Sequence, residues 1–365
     1  MAQLLNEIEW AEPVLPAVED AEWEAVVKRA VGHVSDVHRR VSPSPWLRRA
    51  CLRTDSYRVS HMPVQLVDRG ALVTAQESSC RYCYGAVRAF MRILGYSERM
   101  IGRIEREAQM GELDPKERAF LQFCRNLARS NPRPARAERE ALIALGYAPL
   151  AVTEMAFFIA MHCFYNRVAT LAACPPEAGL EKFSGSVAGR LIALAGPVLL
   201  RPLMNRKRRV TGHNGNGGVP AEGGAFRSVI EALAGLPAQS IFAESIEGAL
   251  ASPVLPRRTK MLMFAVVARA LGCAFCQTEA RTALIPGEFE EAEFERILSA
   301  LGSPALEPFE SSILLWVRDT VHYQPLTIQE QTRKLGAEIG GAALLEAVGV
   351  AALANGTVRL AMLLE

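Results

Sequence analysis

The 365-residue sequence has little excess charge of either sign. Its 41 Lys and Arg stand against 39 Asp and Glu, a formal net charge of +2. That balance gives no electrostatic reason to expect a nucleic acid partner. Aromatic residues make up only 7% of a chain that is 50% hydrophobic. The apolar surplus is therefore Ala and Leu, which suits close helix packing. The first residues, Met1-Ala2-Gln3-Leu4-Leu5-Asn6-Glu7, lack a basic stretch followed by an apolar core, so no secretory signal is expected. The nearest approach to a membrane-spanning run is Leu191 to Leu200, ten residues that contain Gly196 and Pro197. No integral membrane segment is expected from so short a stretch. No Gly-rich nucleotide loop follows a strand, and no His-Glu-x-x-His or Gly-x-Ser-x-Gly occurs. These absences leave no bound metal, flavin or nicotinamide implied.

Cysteine is also sparse. Cys51, Cys80, Cys83, Cys124, Cys163, Cys174, Cys273 and Cys276 do not form a disulfide framework in a chain this long. Their scatter points to a reducing, cytoplasmic compartment, with most of them serving as small buried apolar residues.

The dominant pattern is helical, and the expected fold class is all-α. Trp23, Val26, Val27, Ala30 and Val34 recur at helical spacing. Pro63 is placed for the first turn of a later helix, with Ser60 as its cap. Cys83, Val87, Phe90 and Leu94 form one apolar stripe that Gly95 stops. Asp114-Pro115 starts another helix, and further helices are expected over 136–145 and 150–171. The segment 206–224 is rich in glycine and reads as a linker. Its leading cluster Arg206-Lys207-Arg208-Arg209 is read as a solvated rim, with contact to a membrane surface or a nucleic acid as the minor alternative. The chain thus divides into a first domain over 1–205 with an N-terminal helical extension, the linker, and a second domain over 225–365.

The second domain repeats the first. Cys80-Arg81-Tyr82-Cys83 and Cys273-Ala274-Phe275-Cys276 are 193 positions apart, and that spacing also aligns Phe123 with Trp316, Arg125 with Arg318, Asn126 with Asp319 and Pro132 with Pro325. Further on it slips by one, so that Arg167 matches Arg359. This is the pattern of duplication followed by divergence. A Cys-x-x-Cys at a helix start suits redox chemistry. Free backbone amides and the helix dipole favour a thiolate on the first cysteine, and the second is near enough to close a disulfide. Ser78 or Ser79 is the expected cap, and Arg81 adds positive charge. The second pair has uncharged neighbours, and Gly272 before it offers no side-chain cap. It is a weaker site, with a vestigial pair as the alternative.

The stretch from Leu72 to Gly95 resembles the core of the carboxymuconolactone decarboxylase and AhpD-like alkylhydroperoxidase superfamily, and Met263 to Leu284 does so more faintly. The resemblance implies tandem all-helical domains, homo-oligomers, and reduction of a hydroperoxide by a dithiol. A thiol or dithiol reductant, such as a carrier protein, would then regenerate it. In that scheme Cys83 attacks the peroxide and Cys80 resolves. The relay positions of the family fall on Asp68, Tyr82 and Val87, and in the second half on Met261, Phe275 and Ala280. Asp68 keeps an acidic group, Tyr82 is a substitute, and Val87 carries no proton. Glu77, one turn before Cys80, and His162, on the same helix as Glu154, are the further candidate bases. Asp319, His322 and Glu279 form a lesser cluster in the second half. The competing expectation is a non-catalytic helical binding or assembly protein, or a redox sensor. Cofactor-independent decarboxylation of a small acid ranks third.

Overall fold

The computed structural model describes residues 3–106, 113–131, 133–134, 136–209, 224–285 and 287–363. Among them every regular element is helical, and the one extended pairing is an isolated bridge between Val59 and Arg209. The chain opens with α1 (Ala21–Val31), α2 (Asp36–Arg40) and α3 (Pro45–Asp55). A hairpin of α4 (Val67–Glu77) and α5 (Arg81–Ile93) carries the first cysteine pair. It is followed by α6 (Glu98–Glu105), α7 (Pro115–Arg129), α8 (Arg136–Ala144) and α9 (Pro149–Leu171). Then come α10 (Ala178–Gly185), α11 (Val187–Ala195) and α12 (Arg201–Lys207). The second half begins with α13 (Arg227–Glu231), α14 (Ala238–Ala251), α15 (Arg257–Leu271) and α16 (Ala274–Leu284). It ends with α17 (Glu291–Ala300), α18 (Pro308–Asp319), α19 (Pro325–Ile339) and α20 (Gly341–Ala361).

Local sequence explains the boundaries. Proline occupies the first turn of α3, α7, α9, α18 and α19, where its missing N–H costs nothing. Asp114 caps α7 by accepting from the N–H groups of Lys116 at 2.9 Å and Glu117 at 3.3 Å. Gly95 closes the α5 end with a φ of +77°. Ser60 does not cap the next helix. Its N–H and hydroxyl both go to Glu154, and a 3-10 turn over Val64–Leu66 leads into α4 instead. Gly196-Pro197 is not a break either. A π turn over Gly196–Leu200 absorbs the missing proline N–H and joins α11 to α12. Arg206 and Lys207 therefore finish a helix, while residues 210–223 of the expected linker, and Pro132 of the repeat pattern, lie outside the described residues.

The core is centred on α9 and α20, which are apolar on every side and pack on each other. Their closeness depends on Gly356. A Cβ there would sit 2.9 Å from the Ala160 carbonyl oxygen. Each central helix buries one glutamate. Glu154 accepts from Tyr57 Oη at 2.7 Å, from Ser60 N at 2.7 Å, from His61 N at 2.6 Å and from Met62 N. Glu346 pairs with the buried Lys260 ammonium at 2.6 Å and accepts from Trp46 Nε1 at 2.7 Å. Each also buries one arginine. Arg167 donates to the Thr320 and Val321 carbonyls, both at 3.1 Å, and Arg359 donates to the Ala128 carbonyl at 3.2 Å. Each guanidinium thus satisfies backbone in the opposite half of the chain.

Candidate functional site

The first cysteine pair is built by the turn between α4 and α5. Ser78 ends α4, Ser79 takes a left-handed φ of 47°, and Cys80 returns to extended geometry with φ −84° and ψ 95°. Neither serine caps α5. Cys80 caps it, because its Sγ accepts the N–H of Cys83 at 3.3 Å. The N-terminal amides of a helix have no partner within it, so a sulfur at this position satisfies one of them. Cys273 does the same for α16, accepting from Cys276 N at 3.3 Å after Gly272 turns the chain with φ +68°.

The two thiols of the first pair are polarised in opposite directions. Burial pushes the Cys80 thiol up, but hydrogen bonds from the Cys83 thiol and N–H, from Thr170 and from the Tyr82 N–H outweigh it. The result lies below the ordinary value. The Thr170 hydroxyl also donates to the Asn166 carbonyl at 2.8 Å, so its one proton is shared between these acceptors. Cys83 goes the other way. Burial raises it well above the ordinary value, and the hydrogen bond to Cys80 and the charges of Cys80, Cys174 and Asp55 raise it further. These surroundings favour negative charge on Cys80 over Cys83, whereas the resemblance implies Cys83 as the attacking thiol.

Around the pair, three parts of the chain contribute polar groups. From the segment after α9, Glu177 accepts from Tyr82 Oη at 3.1 Å, and Glu181 takes both nitrogens of Arg81 at 2.7 and 2.9 Å. Arg81 is thereby committed to a carboxylate rather than to the thiolate. From the turn after α18, Tyr323 donates to the Ser78 carbonyl at 2.8 Å. From the N-terminal helices come Ser35, which meets Tyr165 Oη at 3.3 Å, and the buried His38, whose Nε2 lies 3.2 Å from Asp55 Oδ2. Burial raises the Tyr82 phenol well above its ordinary value, with Cys174 and Glu177 adding to it. Burial likewise raises Tyr165 and Tyr323, so all three phenols stay protonated and form neutral hydrogen bonds. His38 and Asp55 are 17 residues apart on either side of Pro43 and Pro45, so nothing in the sequence pattern pairs them.

Three expected acid–base residues are engaged elsewhere. Asp68 is buried near the C-terminal end of α5, where Arg208 reaches it at 2.6 Å and Tyr96 donates at 3.5 Å. Cys80 lies at the other end of that helix, roughly 20 Å away at 1.5 Å per residue. Glu77 is held by Arg125 and by Arg129, with Arg129 Nη2 at 3.0 Å. His162 directs Nδ1 to the Phe158 carbonyl at 2.8 Å and stacks on the Phe158 ring. Its burial holds the imidazole below its ordinary value and so neutral.

In the second half, Glu279 accepts from Phe226 N at 2.8 Å, and Asp319 pairs with Arg318 at 2.8 Å. His322 is not on a helical face with Asp319, because α18 ends at Asp319. Burial, then the charges of Arg359 and Arg167, lower the His322 imidazole to about 4. Among the described residues no group of three or more His, Cys, Asp or Glu side chains is placed to hold a metal ion.

Comparison with known proteins adds nothing to this geometry: no protein-family model, curated protein or solved structure matches the chain.

Proposed function

We propose that Cys80 and Cys83 form a redox-active dithiol that reduces a hydroperoxide. The observation that carries this reading is Cys80 Sγ at the α5 N-cap, 3.3 Å from the Cys83 N–H and one turn from a second thiol. Helix N-termini favour a thiolate, and the thiolate is the nucleophile. The pair supplies its own proton. Cys80 thiolate attacks the distal oxygen of ROOH, the O–O bond breaks, and Cys80 becomes a sulfenic acid. The Cys83 thiol gives its proton to the departing alkoxide, producing ROH. The Cys83 thiolate then attacks the Cys80 sulfur, the S–S bond forms, and the hydroxide released takes a proton from solvent as water. Two electrons leave the dithiol, so an external thiol or dithiol must restore it. This route needs no Glu–His relay, consistent with Asp68, Glu77 and His162 being occupied elsewhere.

The same reading takes the chain to be two diverged AhpD-like units. In support, α3 and α14, α6 and α17, and α7 and α18 begin 193 positions apart, as do the two cysteine pairs. The proposed equivalents α3 and α14 pack on each other, as do α9 and α20.

The second reading is a non-catalytic redox sensor. Burial favours it: Cys80 is 0% exposed and Cys83 7%, which slows any bulky oxidant. Single-turnover hydroperoxide consumption with thiol counting separates the two. The enzyme reading expects rapid loss of two thiols, slowed ~100-fold or more in Cys80→Ser and spared in Cys273→Ser/Cys276→Ser. Loss no faster than that of a free small thiol removes the enzyme reading.

A further inference from the structure

The helix formed by α11, the π turn and α12 is seated the wrong way out for a core helix. Its small residues face the body. A Cβ on Gly196 would lie 2.5 Å from the Leu94 backbone carbon, so the two segments touch backbone to backbone there. Its large residues face outward. Val187, Leu191, Leu194, Val198, Leu199 and Leu203 are all exposed, and Leu194 reaches 78%. Most of them recur three or four positions apart, which makes one continuous outward stripe. An exposed apolar surface of this kind marks an interaction site.

Length and composition would also let Val187–Lys207 cross a membrane, and only 11% of its most apolar 18-residue stretch is buried. Gly341–Ala361 passes the same test but is 83% buried as a core helix. Val187–Lys207 is tied lengthwise to the protein. Arg201 Nη2 donates to the Leu94 carbonyl at 3.1 Å, and Arg208 pairs with Asp68 at 2.6 Å. A helix held at its middle and its end lies along the body instead of passing away from it.

Charge identifies the occupant. Between Ser186 and Arg209 there is no Asp or Glu, whereas Arg190, Arg206, Lys207 and Arg209 are exposed basic residues. Arg206 and Arg209 line an open groove of about 370 Å³ together with Val64 and Pro202. A second copy presenting this same face would set cations against cations. Outward apolar residues flanked by unopposed cations match the acyl boundary and headgroups of an anionic bilayer. We propose that this helix docks the protein on the surface of anionic membranes, lying in the interfacial plane.

The test is sedimentation of the full, reduced chain with vesicles of phosphatidylcholine alone and of phosphatidylcholine containing phosphatidylglycerol. Wild type is expected to bind the anionic vesicles at least ~10-fold more strongly, and Leu194→Ser/Val198→Ser to lose binding to both. Each cation near an anionic surface is worth about fivefold, so Arg206→Gln/Lys207→Gln is expected to lose ~25-fold on anionic vesicles only. The exposed positions leave the fold intact, checked by circular dichroism. No binding to either vesicle overturns the proposal, as does equal binding to both. Resistance to alkaline carbonate extraction overturns it in favour of a spanning helix. A dimer abolished by Leu194→Ser/Val198→Ser, without vesicle binding, overturns it in favour of self-association.

Discussion

The two Cys-x-x-Cys turns have the same local geometry and different surroundings. In both, the first sulfur accepts the N–H of the second cysteine at 3.3 Å. Around Cys80 stand Thr170, Tyr82, Cys174 and the N-terminal helices with Asp55. At the positions 192 and 193 further along the chain, Met362 stands where the first half has Thr170, and Phe275 where it has Tyr82. On its outer side α5 is covered by α10 and α11, whereas α16 packs on α15 and α20. The cap is a consequence of the backbone turn, so it survives loss of everything around it. The polarisation of the Cys80–Cys83 pair comes from its tertiary neighbours.

Four substitutions sharpen this contrast. The largest effect is expected in the central helices. Glu346→Gln leaves the Lys260 ammonium buried with only the Ala249 and Ser252 carbonyls, at 2.7 and 2.6 Å. Breaking such a pair costs about 3–5 kcal/mol. Glu154→Gln leaves neutral donors short of a partner and costs about 1–3 kcal/mol. Urea unfolding measures both, and a larger loss for Glu154→Gln would contradict the ranking of the Lys260–Glu346 ion pair above the neutral donors around Glu154.

The next effect is on reactivity. Thr170→Val removes a group that favours the Cys80 thiolate. The thiol then titrates higher, so less thiolate is present at neutral pH. Alkylation of Cys80 by iodoacetamide is expected to slow ~3–10-fold at pH 7, the equivalent of one hydrogen bond. An unchanged pH profile would mean that Thr170 keeps its proton on Asn166.

The smallest effect concerns acid. The folded His322 titrates at about 4, against an ordinary 6.5. Between those values the unfolded chain binds the proton and the folded one does not, so stability falls as pH drops through this window. His322→Gln should flatten that fall, seen as urea midpoints at pH 4.5 and 7 moving closer together. Arg129, 193 positions earlier, pairs with Glu77. If His322→Gln leaves the midpoints as far apart as before, other groups set the acid sensitivity.

Much of the helical layout is legible in the sequence. The Asp114-Pro115 start, the Gly95 stop and the placement of both cysteine pairs at helix starts follow from local chemistry. The caps are less legible, because a cysteine acting as its own helix cap is chemically plausible but rarely the first choice beside Ser78 and Ser79. The run from Leu191 to Leu200 reads as interrupted, because a π turn that carries a helix through Gly-Pro leaves no compositional mark. The partners of the expected bases are illegible for a different reason. Asp68 and Glu77 have the right spacing, but Arg208, Arg125 and Arg129 come from distant segments to claim them. Likewise His38 and Asp55 meet only because α2 and α3 fold against α9.

The most direct test of the dithiol account is to treat reduced Cys83→Ser with one equivalent of hydroperoxide in the presence of dimedone, and to locate the adduct by mass spectrometry. The account expects a sulfenic acid trapped on Cys80, because the resolving thiol has been removed and the thiolate remains. An adduct confined to Cys273 or Cys276, or eight-cysteine protein that oxidises while Cys83→Ser stays unmodified at Cys80, would contradict it.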